Sequence, residues 1–576
     1  VTPDDAATEL RPQDPSTLMP PAATLMRPER LSVIQPSRLS VSHALMAQAT
    51  KGRWKIQCTR FDLDERGKGV ANYLVDAEGW QFSFPVFSAE PNPAGRSARI
   101  IGTSWDVLGA LVEGRISDAD FATTERELPK LYEGRATRDT LVWARSNRSG
   151  RLFDEAVNTL ADGRQPETAA LARVGYLTRN TGLDGNGTFG TKALLAFEKN
   201  HPLRWALGAQ MLSAYMMRVF AGDLLRHLSR ARGGSRAVEM NPDLQRFLGL
   251  GNGSAIGLSY FVHNHPRLID RWLNCRHQAI ASAMLLRIGR DGAPLETLLA
   301  LMQRAIVYRR QDRSEYEVFA PSQVIADDLE LIQRELARLL ADVRTASVAA
   351  ATPLVGFCQS LDGRVHPEAF ETLRSQLIEL VPDVADRLVK SLVVDEEVVG
   401  RPEMSVRRLR EIVHADYAWA FGMDLDSERS QRYIWYKSAT AEEPRRGPRD
   451  EVSQAHNIGL DLPRLVRALD ADLAANDPSR SVARFLLEHP QHRLVATRVQ
   501  SLAGLAYHSP HADIMSEDFI PAHVIRLMNS GIHGIDKTRD FLGRFIRGVL
   551  FQGAPLPEDI ASGQAAEHWF NPEEPA

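Results

Sequence analysis

Cysteine is scarce in this 576-residue chain. Cys58, Cys275 and Cys358 are far apart, and no CxxC occurs. That excludes a thiolate zinc site, an iron–sulfur site and a disulfide framework. Each cysteine is expected to be buried packing, and the usage fits a reducing compartment. Charge of one sign is also lacking: 69 Lys and Arg stand against 73 Asp and Glu, a net charge of -4. No global positive field exists to hold nucleic acid or an anionic membrane. Arg145, Arg148 and Arg151 cluster beside acidic helices and do not alter this. Long apolar runs are missing as well. The longest uncharged run, Thr345 to Leu361, is broken by Pro353 and falls short of the roughly 20 apolar residues of a spanning helix. No apolar h-region opens the chain, so secretion is not expected and a cytoplasmic location is.

With 44% hydrophobic and 25% charged residues, the composition is that of a globular protein of two to four domains. Residues 1–42 are rich in Pro, Ser, Thr and Ala, and their prolines forbid a continuous helix. They read as a disordered, dispensable tail. The first residue is Val, as a non-ATG start would give, with Met19 and Met26 as later candidate starts.

Order is expected near Trp54. Residues 54–61, 70–75, 80–84 and 97–101 read as short strands joined by tight turns, an antiparallel meander over 43–110. From Trp105 the apolar period reads as helical. Ser117 with Asp120 approximates a capping box. Helical patterns cover 295–311, 324–343, 366–379, 404–421, 461–475, 478–488, 492–506 and 537–550, the sixth opened by Asp477-Pro478. Residues 438–458 read as an exposed charged loop. The fold class is therefore α+β and predominantly α-helical: an N-terminal antiparallel β-meander packed on a large multi-helix body. The expected divisions are the meander, a helical core over 111–350 with glycine-rich loops, and a C-terminal helical domain over 351–576.

One helix differs. Residues 205–228 are apolar nearly all round and should be central, yet they carry Arg218, Asp223, Arg226 and His227. Asp223 and His227 lie one turn apart, a spacing at which an aspartate can orient a general acid–base histidine.

Two glycine-rich segments flank that helix. In Arg179–Lys192, four glycines allow close backbone approach, and successive N–H groups suit an anion nest. It is not a Walker loop, since no Gly-Lys-Ser/Thr closes it. It is not an EF-hand, since Gly182 and Ala193 replace the first and last ligands. Its Asn-Gly-Thr-Phe-Gly core resembles the peptidoglycan-binding repeat, but Asn186 replaces the Asp and Phe197-Glu198 comes a turn too early. The second segment, Gly249–Gly257, approximates a dinucleotide turn. No βαβ pattern surrounds it, so a Rossmann reading fails. No GxSxG is present. His263 and His265 follow, just before a helix opened by Pro266, where positive potential favours anions and lowers a histidine pKa. No third metal ligand stands at a recognised spacing. His489 with His492 and His508 with His511 form HxxH pairs that read as surface histidines.

Over Trp54–Asp559 the chain resembles an uncharacterised family of large bacterial proteins, through GNGTFG at 185–190, GLGNGSAIGL at 249–258, HPRLIDRW at 265–272 and FQGAPLPEDI at 551–560. That resemblance brings no activity and no site residue with it.

These features converge on an enzyme acting on a small anionic substrate, a carboxylate or phosphate, by acid–base chemistry. Its pocket is expected from 179–191, 204–232 and 249–277. His263, His265, Asp223 and His227 are the candidate proton-transfer groups. Arg179, Asn186, Arg218, Arg226, Asn252 and Ser254 are the candidate ligand-binding groups. A lyase, isomerase or hydrolase step would each suit, and neither metal nor organic cofactor is specified. The expected partner is the small anionic ligand, with no nucleic acid, no membrane and a homo-oligomer allowed. The competing reading is a non-catalytic helical scaffold or regulatory binding protein. In it the glycines serve only as caps and packing points.

Overall fold

The computed structural model describes the chain from Ile34 to Gln564, apart from isolated positions and the segments 92–104, 132–139, 186–196, 253–266, 312–320, 346–352, 392–399, 425–434, 439–443, 447–455, 505–531 and 536–545. The protein is α+β and predominantly helical, with an N-terminal antiparallel sheet packed on a helical body. Among the described residues, no helix is long and apolar enough to cross a membrane.

Helix α1 (Val41–Lys51) leads into β1 (Lys55–Leu63), β2 (Gly69–Ala77), β3 (Trp80–Ser88) and β4 (Val107–Glu113). Helix α2 (Asp118–Leu131) follows, then β5 (Thr140–Arg148), α3 (Gly150–Ala161), α4 (Thr168–Ala172) and β6 (Tyr176–Gly185). Next come α5 (Gly208–Gly233), α6 (Pro242–Phe247) and β7 (Gly249–Asn252). The first three strands pair in register from Lys55↔Asp76 and Ala77↔Trp80, as the alternating pattern requires. The capping box at α2 is present: Asp120 N donates to Ser117 Oγ at 3.2 Å, and Ser117 N donates to Asp120 Oδ2 at 3.0 Å.

The sheet runs well beyond the meander. Its order is β1-β2-β3-β4-β5-β6-β7, continued by two C-terminal strands, β12 (Ile546–Leu550) and β11 (Ile532–Ile535). The expected boundary at 110 therefore cuts through one sheet. Residues 107–112 read as helical because they form an unbroken apolar run. That is what a strand covered on both faces looks like, and periodicity alone does not separate the two. Residues 546–550 are likewise a strand where a helix was expected. The fourth strand expected at 97–101 lies outside the described residues.

Helix α5 lies across this sheet and touches strands β3 through β7. Its whole first half is buried, from Gly208 to Arg218. It also connects β6 to β7, which pair in parallel. A β–α–β crossover thus does surround the second glycine-rich segment, contrary to expectation. Gly249 and Gly251 nevertheless sit on the strand itself, not in the strand-to-helix turn a dinucleotide site needs.

The remaining helices form two groups. The first holds α7 (Arg267–Met284), α8 (Ala293–Gln311), α9 (Ser322–Thr345), α10 (Pro353–Leu361), α11 (Pro367–Leu377) and α12 (Pro382–Lys390) around one core. The expected boundary at 350 divides that core. The second holds α13 (Val406–Asp416), α14 (Ala418–Gly422), α15 (Leu462–Ala474), α16 (Val482–Glu488) and α17 (Arg493–Leu502), and its apolar residues join the core of the sheet. Helix α16 is capped by Ser481, whose Oγ accepts from Arg484 N. Asp477-Pro478 forms the turn before it instead of the cap, because Asp477 Oδ1 is taken by Ser479 N at 2.9 Å. The stretch read as a charged loop contains parts of three short strands, β8 (Trp435–Ser438), β9 (Pro444–Arg446) and β10 (His456–Leu460), ordered β10-β8-β9. A short last helix, α18 (Pro557–Ser562), packs on α1 and β1.

The expected tail ends earlier than residue 42. Ile34 and Leu39 are buried, Ser40 caps α1, and Val41 to Met46 lie inside the core. Arg38 donates from Nε to Glu379 Oε2 and from its backbone N to Glu379 Oε1, both at 2.9 Å. Gln35 Nε2 donates to Glu368 at 3.1 Å. Prolines forbid a helix in 1–42, but an extended segment can still bury side chains in a groove. Deleting residues 34–42 should therefore lower the melting temperature clearly. Arg38→Ala should cost about 2 kcal/mol in urea unfolding, the scale of a lost hydrogen bond to a buried charge. Unchanged melting in both variants would return these residues to the tail.

Candidate functional site

The site is built from residues of α5, β1, β2 and β6. Residues 71, 73, 75 and 77 of β2 face the core, and Tyr73 brings a hydroxyl with it. On α5 the facing polar group is Asp223. Tyr73 Oη donates to Asp223 Oδ2 at 2.7 Å, and Arg226 donates to Asp223 Oδ1 from one turn along. Burial raises the Asp223 carboxyl above the ordinary aspartate value, while the Tyr73 hydroxyl and the Arg226 charge oppose it. Burial and the adjacent carboxylate push the Tyr73 hydroxyl up strongly, so it stays a donor.

These groups line a cavity of about 250 Å³. That is just below the roughly 300–1,000 Å³ of typical ligand pockets, so its occupant is small. Cys58, Tyr73 and Thr178 come from the sheet, Arg218, Gly222, Asp223 and Arg226 from α5, and Glu558 from α18. Leu177, Val219, Leu225, Met240 and Leu248 make the apolar wall. Three features mark it as a recess for a ligand. The Thr178 hydroxyl is buried without a hydrogen-bond partner among the described residues. Gly222 occupies a helix interior, where glycine costs about 1 kcal/mol against alanine, yet a Cβ there would meet nothing within 4 Å. The glycine therefore leaves open space and is not required by close packing. Cys58 is exposed at the rim, not buried as expected, and its thiol donates to Arg60 O at 3.3 Å. Burial first, and then the Asp223 charge, push that thiol up, so it is no activated nucleophile.

Arg218 has a different task from the one expected. Its Nε donates to Leu248 O at 2.9 Å, and its terminal nitrogens reach the carbonyls of Gln245, Arg246, Ala554 and Pro555 at 3.0–3.3 Å. Tyr215 Oη donates to Pro555 O at 2.8 Å, and Arg246 grips Asp559 with two bonds of 2.8 and 2.9 Å. A strap running from Phe551 into α18 is thus fastened over α5 and supplies the Leu556–Glu558 wall of the cavity. With all three of its nitrogens bonded to backbone carbonyls, Arg218 holds the wall of the cavity.

The other expected residues are distributed as follows. Asp223 and His227 find separate partners. His227 Nε2 lies 2.8 Å from Asp64 O, and its ring stands edge-on to Phe61. Arg179 and Asn252 lie on adjacent parallel strands, with Arg179 opposite Gly251 and Asn180 opposite Asn252. The two glycine-rich segments therefore meet, and the cavity reaches the start of the second at Gly249 and the residue before the first, Thr178. Gly249 and Gly251 serve strand contact: a Cβ at Gly249 would lie 2.4 Å from Leu550 O, and one at Gly251 would press on the Tyr176 ring at 2.7 Å. Asn186, Ser254, His263 and His265 lie outside the described residues, as do His508 and His511. Arg145 and Arg148 are buried, Arg145 over the Trp105 ring and Arg148 bonded to Ser88. Tyr73, Thr178 and Glu558 escaped sequence reasoning. The one available signal was an aspartate on an otherwise apolar helix, which demands a buried partner.

His489 and His492 are not simple surface histidines. Both rings converge on Asp472 Oδ2, at 3.5 and 2.6 Å, and His492 is buried. The three have the ligand types of a metal site. Their outer contacts favour hydrogen bonds. Asn476 Nδ2, which donates to Asp472 O at 2.8 Å, lies 3.4 Å from His489 Nε2. That nitrogen must accept, which leaves the proton on Nδ1 facing Asp472. His492 Nδ1 is buried without a partner, so its proton belongs on Nε2, again facing Asp472. The hydrogen bond from His492 chiefly holds the Asp472 carboxyl below its ordinary value.

No family model, no curated protein and no solved structure matches the chain.

Two tests follow from this geometry. Arg218→Lys should destabilise the fold by about 2–4 kcal/mol in urea, because one ammonium cannot reach five carbonyls in different directions. Wild-type stability in that variant would show the strap is held by other contacts. Asp472→Asn should cost about 1 kcal/mol near neutral pH, discounted for the half-exposed carboxylate. Because the folded Asp472 value is depressed, its contribution is full above the unfolded value. It is lost as pH falls through the folded one, so wild type and variant should converge in acid. A constant gap across that range would contradict the hydrogen bonds from His489 and His492 to Asp472.

Proposed function

We propose that this protein is an enzyme acting on a small molecule by acid–base chemistry, with Asp223 as the proton-transfer group. The observation that carries this reading is the Asp223 carboxyl itself. It is largely buried and raised by that burial, it is aimed by Tyr73 and Arg226, and it opens onto a cavity with an unfilled floor. Arg226, half exposed at the rim, answers an anionic group of the ligand. Thr178 supplies a hydroxyl to the ligand's inner end. The free thiols of Cys58, Cys275 and Cys358 suit a reducing, cytoplasmic setting, and burial of Arg145 and Arg148 removes the clearest local handle for nucleic acid. The competing reading, a scaffold or regulatory binding protein, would use the same cavity without turnover.

Asp223→Asn keeps the acceptor for Tyr73 but cannot carry the proton. It should reduce turnover of any substrate found by about 10²–10⁴-fold while ligand-induced stabilisation survives. Undiminished turnover would remove Asp223 from the chemistry. Stability gives a second readout. A folded value raised above the unfolded one means the fold favours the protonated carboxyl, so that contribution is lost as pH rises through the folded value. Asp223→Asn should therefore gain stability relative to wild type over that rise. A gap that does not move with pH would show that the carboxyl is not raised.

A further inference from the structure

We infer that the ligand of this cavity is a small zwitterion, an α-amino acid with an apolar side chain or a molecule of equivalent charge layout. The inference rests on the proposed site and adds the substrate class. It follows from which charged groups around the cavity remain available. Arg218 is buried and turns all three of its guanidinium nitrogens to backbone carbonyls, so its charge is already engaged by the fold. Arg226 is half exposed and tied to Asp223 alone among the described carboxylates, so a ligand carboxylate can share its guanidinium. Glu558 lines the same cavity, is exposed, and has no ion-pair partner among the described residues. Asp223, bonded to Arg226, adds a second carboxylate to the same cavity.

A ligand bearing only negative charge would gain Arg226 but face both Asp223 and Glu558. A ligand bearing only positive charge would gain the carboxylates but face Arg226, with Arg218 behind it. At an effective dielectric near 20, each like-charge contact about 4 Å apart costs on the order of 4 kcal/mol, so neither single-charge ligand fits well. A molecule with one carboxylate and one ammonium on neighbouring atoms meets both signs. Its carboxylate takes Arg226, and its ammonium takes Glu558 and Asp223. The rest of it must be small and mainly apolar, because Val219, Leu225, Met240 and Leu248 form the wall of a cavity of about 250 Å³. The unpartnered Thr178 hydroxyl gives the inner end one hydrogen bond, which also admits a side chain with a single polar tip. Gly222 keeps the helix surface bare so that such a molecule can lie against it.

The test is calorimetric titration of the full chain with L-leucine, 4-methylpentanoate and isopentylamine, backed by a thermal-shift panel of the twenty amino acids, inorganic phosphate and dicarboxylates. The zwitterion should bind about 10- to 100-fold more tightly than the acid or the amine that lacks one charge. Arg226→Gln should abolish the preference over the amine, and Glu558→Gln the preference over the acid, with melting temperatures near wild type. Gly222→Leu, which fills the recess from an exposed helix position, should abolish binding while the fold survives. The inference is overturned if the acid or the amine binds as well as the amino acid. It is also overturned if phosphate or a dicarboxylate binds while no amino acid does. If such a ligand is still blocked by Gly222→Leu, the cavity remains the site and only the substrate class is wrong. If it binds equally to Gly222→Leu, the proposed site falls with it.

Discussion

A buried guanidinium holds this protein's candidate site together. Arg218 sits buried in the middle of α5 and is solvated by five backbone carbonyls from two distant stretches of chain. Burial lowers its pKa, but the ordinary arginine value is so high that the charge persists. A charge placed there without those carbonyls would be prohibitively costly. The arrangement therefore forces residues 245–248 and 554–555 to converge on α5. Leu248 precedes β7, and Pro555 precedes α18. Fixing both ends in this way sets the parallel pairing of β7 with β6 beside the strap that walls the cavity.

The same logic of satisfied burial runs through the helical body. Arg276 donates to Glu371 and Ser375, and Arg374 donates to Glu371, inside the α7–α11 contact. His277 lies among them and is pushed well below its ordinary value by burial and by the two arginines, so it stays neutral. Cys358, pushed up to about 12 by burial, is packing and nothing more. In contrast, the cavity keeps an unspent hydroxyl, an exposed carboxylate and a glycine facing empty space. A buried hydroxyl left without a partner on the wall of a cavity is available to a ligand.

Much of the fold was legible along the chain. The β-meander, the Ser117–Asp120 cap and most long helices follow from local rules: period-2 alternation, a side chain that reaches its own backbone, and period-3.6 apolar faces. The buried helix with Asp223 and Arg226 was legible too, because polar residues on an otherwise apolar helix announce partners. The strand at 107–113 was misread because its residues 107–111 are all buried, and full burial erases the periodicity that separates strand from helix.

Partner choice was not legible, because it depends on groups brought from far along the chain. Asp223 took Tyr73, 150 positions away, and left His227 to a carbonyl of the β1–β2 turn. Local spacing favoured the i, i+4 pair. Tertiary packing overrode it because a buried carboxylate needs a donor that is itself buried and fixed, and β2 supplies one. The glycines of 249–251 looked like a ligand loop and became strand contacts, since only the neighbouring strand decides what a missing Cβ makes room for. Composition and periodicity by themselves determined that this chain buries a helix carrying an aspartate and arginines. Only the tertiary structure decided that one arginine would be spent on the backbone and the other left at a cavity mouth, because solvation of a buried charge is settled by whichever carbonyls the fold delivers to it.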